Sequence, residues 1–167
     1  MNMPITIVQA VVIAAATAAA VIDLRTRRVP NVLTLSIALI GLGLAMGGVS
    51  GVGLAASAAG CLIGFALLLP GFLIGATGGG DVKLLAALGT LLGPAATLRA
   101  FVATAIAGGL IAICVALRRG GFMSMVAGTS ALVMSAGSNI TELREAHDHR
   151  FAYAPAIAIG AIVAALI

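Results

Sequence analysis

Two carboxylates stand apart from every other ionisable group in this sequence. The chain has five acids. Glu142, Glu145 and Asp148 sit together in the polar stretch from Asn139 to Arg150, which reads as a solvated loop. Asp23 instead closes a long apolar run, and Asp81 opens another immediately after Gly78-Gly79-Gly80. An acid at the edge of an apolar segment is a cap, an ion-pair partner or a functional group. Taken singly, Asp23 has a local partner in Arg27 four residues on, and Asp81 suits the N-terminus of the helix that follows it. Taken together, two carboxyls brought side by side in an apolar setting can share one proton and act as an acid/base pair on water, the chemistry of aspartic proteolysis.

What must position these acids follows from composition. The 167 residues are 62% hydrophobic and 8% charged, with a mean hydropathy of +1.23. A soluble domain carries about 25% charged residues, so this chain lacks the means to build a water-facing surface. Nor do nine basic residues among 4% aromatics make a nucleic-acid surface, and no nucleic-acid partner is expected. The chain belongs in a bilayer, whose hydrocarbon core of ~30 Å needs about twenty apolar residues per helical crossing.

Six such runs are expected: about Pro4 to Ile22, Asn31 to Val49, Val52 to Gly75, the short Val82 to Leu92, Ala95 to Leu117 beyond Gly93-Pro94, and Phe151 to Ile167. The sequence therefore predicts one all-α domain over residues 1–167, a polytopic membrane protein with about six transmembrane helices. A cleaved signal peptide is a poor reading of the first run, because its cations follow the apolar core instead of preceding it. Retained arginines mark the cytoplasmic side, which puts the N-terminus outside and Arg25, Arg27 and Arg28 inside. Counting crossings then places Arg118, Arg119, Arg144 and Arg150 inside and the C-terminus outside. Phe122 to Ala136 is expected as a helix lying at the interface, within a cytoplasmic or interfacial loop over about 118–150. By the same count Asp23, after one crossing, and Asp81, after three, share the cytoplasmic face. Because Val82 to Leu92 covers only about 16 Å at helical rise, Asp81 is expected to sit recessed in the bilayer.

Other residues read more simply. The spacings Gly43/Gly47, Gly60/Gly64 and Gly71/Gly75 suit close helix packing. Cys61 and Cys114 fall at different depths of their spans, so a disulfide is not expected. His147 and His149 flank Asp148, yet one short polar loop is no metal site, and neither metal nor cofactor is needed. Gly128-Thr129-Ser130-Ala131 lacks the last glycine of a Gly-x-Ser-Gly nucleophile, which argues against a serine protease.

At this point the residues resemble a known family. Gly78-Gly79-Gly80-Asp81 fits the Gly-x-Gly-Asp motif of intramembrane aspartyl proteases, and Val82-Lys83-Leu84 continues it as in the type IV prepilin peptidases. The run from Asp23 through Arg28 to Val29-Pro30-Asn31 is similar to that family's other signature, an Asp followed by a basic loop and Ile/Val-Pro-Asn. The resemblance implies an aspartic endopeptidase of the bacterial cytoplasmic (inner) membrane, with Asp23 and Asp81 as the catalytic pair facing the cytoplasm. It would remove the leader peptide from prepilin or pseudopilin precursors. Larger bifunctional members also methylate the new N-terminus and carry an N-terminal region with paired Cys-x-x-Cys motifs, which this sequence does not show. The likeness is therefore to the short, peptidase-only form associated with tight-adherence (Flp) pili, and no N-methyltransferase activity is expected. Gly78 and Gly80 would let an extended substrate strand approach the backbone. Lys83 would hold a carboxylate ionised or snorkel to the interface among lipid headgroups. The competing reading is a small proton- or cation-coupled transporter, disfavoured because both acids lie near one face.

Overall fold

A computed structural model describes residues 7–74, 77–118 and 153–167, and among these every regular element is a helix. They are α1 (Ile7–Thr26), α2 (Asn31–Met46), α3 (Leu54–Leu73), α4 (Gly79–Arg118) and α5 (Ala154–Leu166). The expected loop over 118–150, the interfacial helix at Phe122 to Ala136, and the group formed by Glu142, Glu145, His147, Asp148 and His149 lie outside the described residues.

Local sequence accounts for the boundaries. Helix α1 is rich in alanine, the strongest helix former, and ends where Arg27 turns to φ 52°, the left-handed conformation that commonly terminates a helix. The Thr26 hydroxyl lies 2.9 Å from the Ile22 carbonyl and 2.8 Å from that of Arg28, pinning the exit. Pro30 is extended (φ −63°, ψ 137°) and caps α2, its carbonyl accepting the Leu33 and Thr34 amides. Helix α1 runs one turn beyond the expected apolar limit at Ile22, so Asp23 lies inside the helix and not in the loop after it.

The expected break at Gly93-Pro94 is present. Gly93 takes φ 73°, ψ 177° within α4, a conformation that glycine reaches without a Cβ penalty. It reverses the chain. The first half of α4 runs antiparallel to α3, with Gly64 against Leu85 and Gly60 against Gly89 and Gly93. The second half runs back: Gly160 of α5 packs on Thr104, while Tyr153, before α5, sits on Gly108. At 1.5 Å per residue a straight helix would carry Gly108 roughly 40 Å from Asp81, yet Tyr153 lies near enough to Asp81 to feel its charge. Successive helical segments thus alternate in direction. The end of α1 and of α3 and the starts of α2, α4 and α5 meet at one end of the bundle.

Helix α4 packs against each of the other four. Leu84, Leu85, Leu88 and Leu91 are fully buried with Val12 and Ile157. Outside this core the surface is apolar: Leu24, Val32, Leu35, Leu62, Val102, Ile106 and Leu166 are all more than half exposed. An apolar exterior of this kind requires hydrocarbon as its solvent. Helices α1, α3 and the Gly79–Ile111 part of α4 are long and apolar enough to cross a membrane, whereas α2 and α5 are shorter apolar helices. The chain is a membrane protein, all-helical over its described residues.

Candidate active site

The end of the bundle where five helix termini meet contains both unusual acids. Asp23, in the last turn of α1, is 5% exposed, and Asp81, in the first turn of α4, is 8% exposed. Residues 58 positions apart in sequence are so placed that the charge of Asp23 acts on the Asp81 carboxyl.

Each carboxyl meets the N-terminal end of a helix, where backbone N–H groups lack intrahelical partners and an anion is favoured. The Gly78 amide donates to Asp81 Oδ2 at 3.3 Å, and the Gly78 carbonyl accepts the amides of Asp81 and Val82. Across the site, the Ala154 amide at the start of α5 donates to the Asp23 carboxyl. Asp23 Oδ2 is buried with no hydrogen-bond partner.

That orphan oxygen is unusual here. Other buried polar side chains spend their donors on backbone carbonyls: Ser57 on Thr90 at 2.7 Å, Thr90 on Ala87, Thr97 on Gly93 and Thr104 on Ala100. Buried polar atoms are nearly always satisfied, and among the described residues only Asp23 Oδ2 is left without a partner. A carboxylate oxygen held in this way, beside a second carboxyl, is poised to accept a proton or a water.

The supporting residues fall around the pair. A Cβ at Gly78 would stand 3.0 Å from Asp81 Oδ2, and one at Gly80 would stand 3.3 Å from the Val29 Cβ. Both glycines therefore allow close approach, Gly78 to the acid itself and Gly80 to the Val29-Pro30 connection. Among the described residues Lys83 pairs with no carboxylate: its Nζ donates to Asn31 Oδ1 at 3.0 Å, tying the start of α4 to the start of α2. Arg27 meets Asp23 only through the backbone, its amide donating to the Asp23 carbonyl at 2.7 Å, so the Asp23 side chain is turned into the bundle. Cys61 and Cys114 are free, and no cluster of metal-ligating side chains occurs among the described residues.

Sequence reasoning passed over Tyr153 and Ala154. Tyr153 is the only tyrosine in the chain, half-buried on Gly108 and near Asp81. The available signal was Tyr153-Ala154-Pro155, since proline in the first turn marks a helix start and hence a set of free amides.

Residues 10–113, which include both acids and both flanking motifs, match the model of the type IV leader peptidase family. Neither a curated protein nor a solved structure matches the chain significantly.

Proposed function

Because the chain belongs to the type IV leader peptidase family, we propose that it is an aspartic endopeptidase that removes leader peptides from prepilin-like precursors with Asp23 and Asp81 as its catalytic pair. The observation that carries this reading is the meeting of two buried carboxyls, one with an unsatisfied oxygen. One ionised carboxylate takes a proton from water as the water oxygen attacks the scissile carbonyl carbon. The protonated partner donates a hydrogen bond to the carbonyl oxygen as it becomes an oxyanion. Collapse of the tetrahedral intermediate breaks the C–N bond, and a proton from the pair goes to the departing amine. Either acid can take either role, since the pair titrates as a unit.

The surroundings suit such a substrate. A precursor with an apolar helix would lie in hydrocarbon against the exposed apolar faces of the bundle, with its extended cleavage site over the Gly78-Gly79-Gly80 backbone. The same reading takes the alternating segments, the two halves of α4 included, as six crossings with both termini outside. Asp23, Asp81 and the exposed Arg25, Arg27 and Arg28 then face the cytoplasm at the bacterial inner membrane. Residues 1–167 are taken as one peptidase domain, acting on Flp-type pilin precursors. A transporter finds less support: apart from Asp23 and Asp81, no described helix carries an acid, so the far half of the bundle offers no relay.

The deciding experiment is processing of a prepilin precursor in membranes carrying Asp23→Asn or Asp81→Asn, with the level of inserted enzyme measured alongside. Both variants are expected to insert normally and leave the precursor uncut. Normal cleavage by either one overturns the dyad.

A further inference from the structure

The second half of α4 and helix α5 leave a groove between them toward the end of the bundle away from the acids. We infer that it holds one anionic phospholipid, with the phosphate on Arg99 and an acyl chain in the groove. The inference is independent of the dyad reading, since it asks only that the bundle lie in a bilayer.

The groove has a volume of about 380 Å³, within the range of about 300–1,000 Å³ that small-molecule sites occupy. Leu98, Val102 and Ile106 of α4 and Val163 and Ile167 of α5 form its sides, and all five are exposed. The small residues Ala103 and Ala164 lie among them, so side chains do not fill the space between the two helices. Residues 98, 102 and 106 repeat every four positions and form one stripe, about 12 Å long at helical rise. A slot of that length with aliphatic walls suits a flexible acyl chain.

Arg99 is what selects a phospholipid over bulk hydrocarbon. It lines the same groove and is exposed, and among the described residues no hydrogen bond or ion pair engages its guanidinium. It is also recessed, six residues or about 9 Å at helical rise beyond the reversal at Gly93. Asp23 and Asp81, the two acids of the described helices, lie at the other end of the bundle. A cation in an apolar segment requires an anion or a reach to the headgroup layer. A phosphodiester meets both needs: its oxygens match the guanidinium fork, and it sits at the level to which an arginine snorkels. The acyl chain then continues from the phosphate into the groove. An apolar helix, from a second copy or from a precursor, would fill the groove and bring no anion to Arg99. Phosphatidylglycerol fits better than phosphatidylethanolamine, whose own ammonium competes for the phosphate.

The test is native mass spectrometry and thermal melting of the purified full chain in detergent, stripped of lipid. It is titrated with dioleoyl phosphatidylglycerol, dioleoyl phosphatidylethanolamine or inorganic phosphate. The parent is expected to hold one phosphatidylglycerol per chain, more tightly than phosphatidylethanolamine, with a rise in melting temperature, and to be unmoved by inorganic phosphate. Arg99→Gln keeps a polar side chain and removes the charge. It is expected to melt like the parent without lipid, to bind phosphatidylglycerol about tenfold more weakly, the equivalent of one charge-assisted hydrogen bond, and to lose the preference between the two lipids. Ala103→Phe, which fills the groove, is expected to weaken both lipids although Arg99 is intact. Parent-like affinity in Arg99→Gln overturns the inference, as does equal binding of the two lipids by the parent or stabilisation by inorganic phosphate alone. A change of oligomeric state or of KM for a precursor, with lipid binding intact in both variants, would also overturn it and assign the groove to another helix.

Discussion

Lys83 Nζ donates to Asn31 Oδ1 at 3.0 Å across 52 residues of sequence, so the first turn of α4 is tied to the first turn of α2. The two motifs that flank the acids are therefore in contact through these two side chains. Lys83 follows Asp81 by two residues, and Asn31 lies two residues after Val29, which packs against Gly80. The bond is exposed, which reduces its net worth to about 1 kcal/mol or less, too little to matter for global stability. Its consequence is local. Asn31→Ala, Lys83→Ala and the double variant are expected to melt together, while each single change lowers kcat/KM and the double change lowers it no further. A double-mutant cycle on cleavage rate measures this coupling, and additive losses would show that the two side chains act separately.

Gly78 and Gly80 separate two functions within one three-residue run. A Cβ at Gly78 meets Asp81 Oδ2 itself, whereas one at Gly80 meets the Val29 side chain. Gly78→Ala is accordingly expected to abolish processing with little change in melting temperature, because it displaces the carboxyl and the amide that holds it. Gly80→Ala is expected to cost activity through a shift of the connection between α1 and α2. Adding Val29→Ala opens that space and is expected to restore most of the activity of Gly80→Ala while doing nothing for Gly78→Ala. Rescue of both, or of neither, would contradict this division.

Glycine spacings that look alike in the sequence differ in the structure; Gly75, of the pair Gly71/Gly75, lies outside the described residues. Gly60 and Gly64 face the first half of α4 so closely that a Cβ on Gly64 would lie 2.6 Å from the Leu85 carbonyl oxygen, and one on Gly89 would lie 2.6 Å from the Gly60 carbonyl carbon. Gly43 faces nothing within 4 Å. Gly64→Ala or Gly89→Ala is expected to destabilise the protein by about 1–3 kcal/mol through overpacking against backbone. Gly43→Ala is expected to be neutral, or stabilising by up to about 1 kcal/mol through helix propensity. Melting of the purified variants in detergent distinguishes them, and equal effects at positions 43 and 89 would refute the close approach of α3 and α4.

This contrast shows where legibility ended. Asp23 and Asp81 stood out because charge is scarce in an apolar chain, and Gly93-Pro94 stood out because glycine and proline punctuate a helix by local sterics. Both signals are carried by the residues themselves. Whether Gly43 or Gly60 packs closely depends on what lies opposite, and the partner of Lys83 lies 52 residues away, so neither is written in local sequence. Tyr153 escaped for the same reason: its seat on Gly108 lies far away in the sequence. Even the length of α1 depended on packing, since only the bundle makes a charged residue at position 23 the inside of a helix instead of its end.

The reversal at Gly93 is the structural step on which the convergence of α5 with the acids depends, because it returns the second half of α4 to the end of the bundle that holds Asp23 and Asp81. At φ 73° a residue with a Cβ is strained, and here the added carbon would also stand 3.2 Å from Val52 Cγ1. Gly93→Ala is expected to destabilise the fold by about 1–3 kcal/mol from the backbone alone and to lower processing more than the loss of folded protein explains. Topology gives the sharper readout. In a background with Cys61 and Cys114 replaced by serine, Thr26→Cys and Glu145→Cys are expected to react only from the cytoplasmic side and Val49→Cys only from the outside, since residues 26 and 49 lie at opposite ends of α2. Labelling of Thr26→Cys from the exterior would invert the assigned orientation. Labelling of residues 26 and 49 from the same side would show that α2, at 16 residues, does not cross.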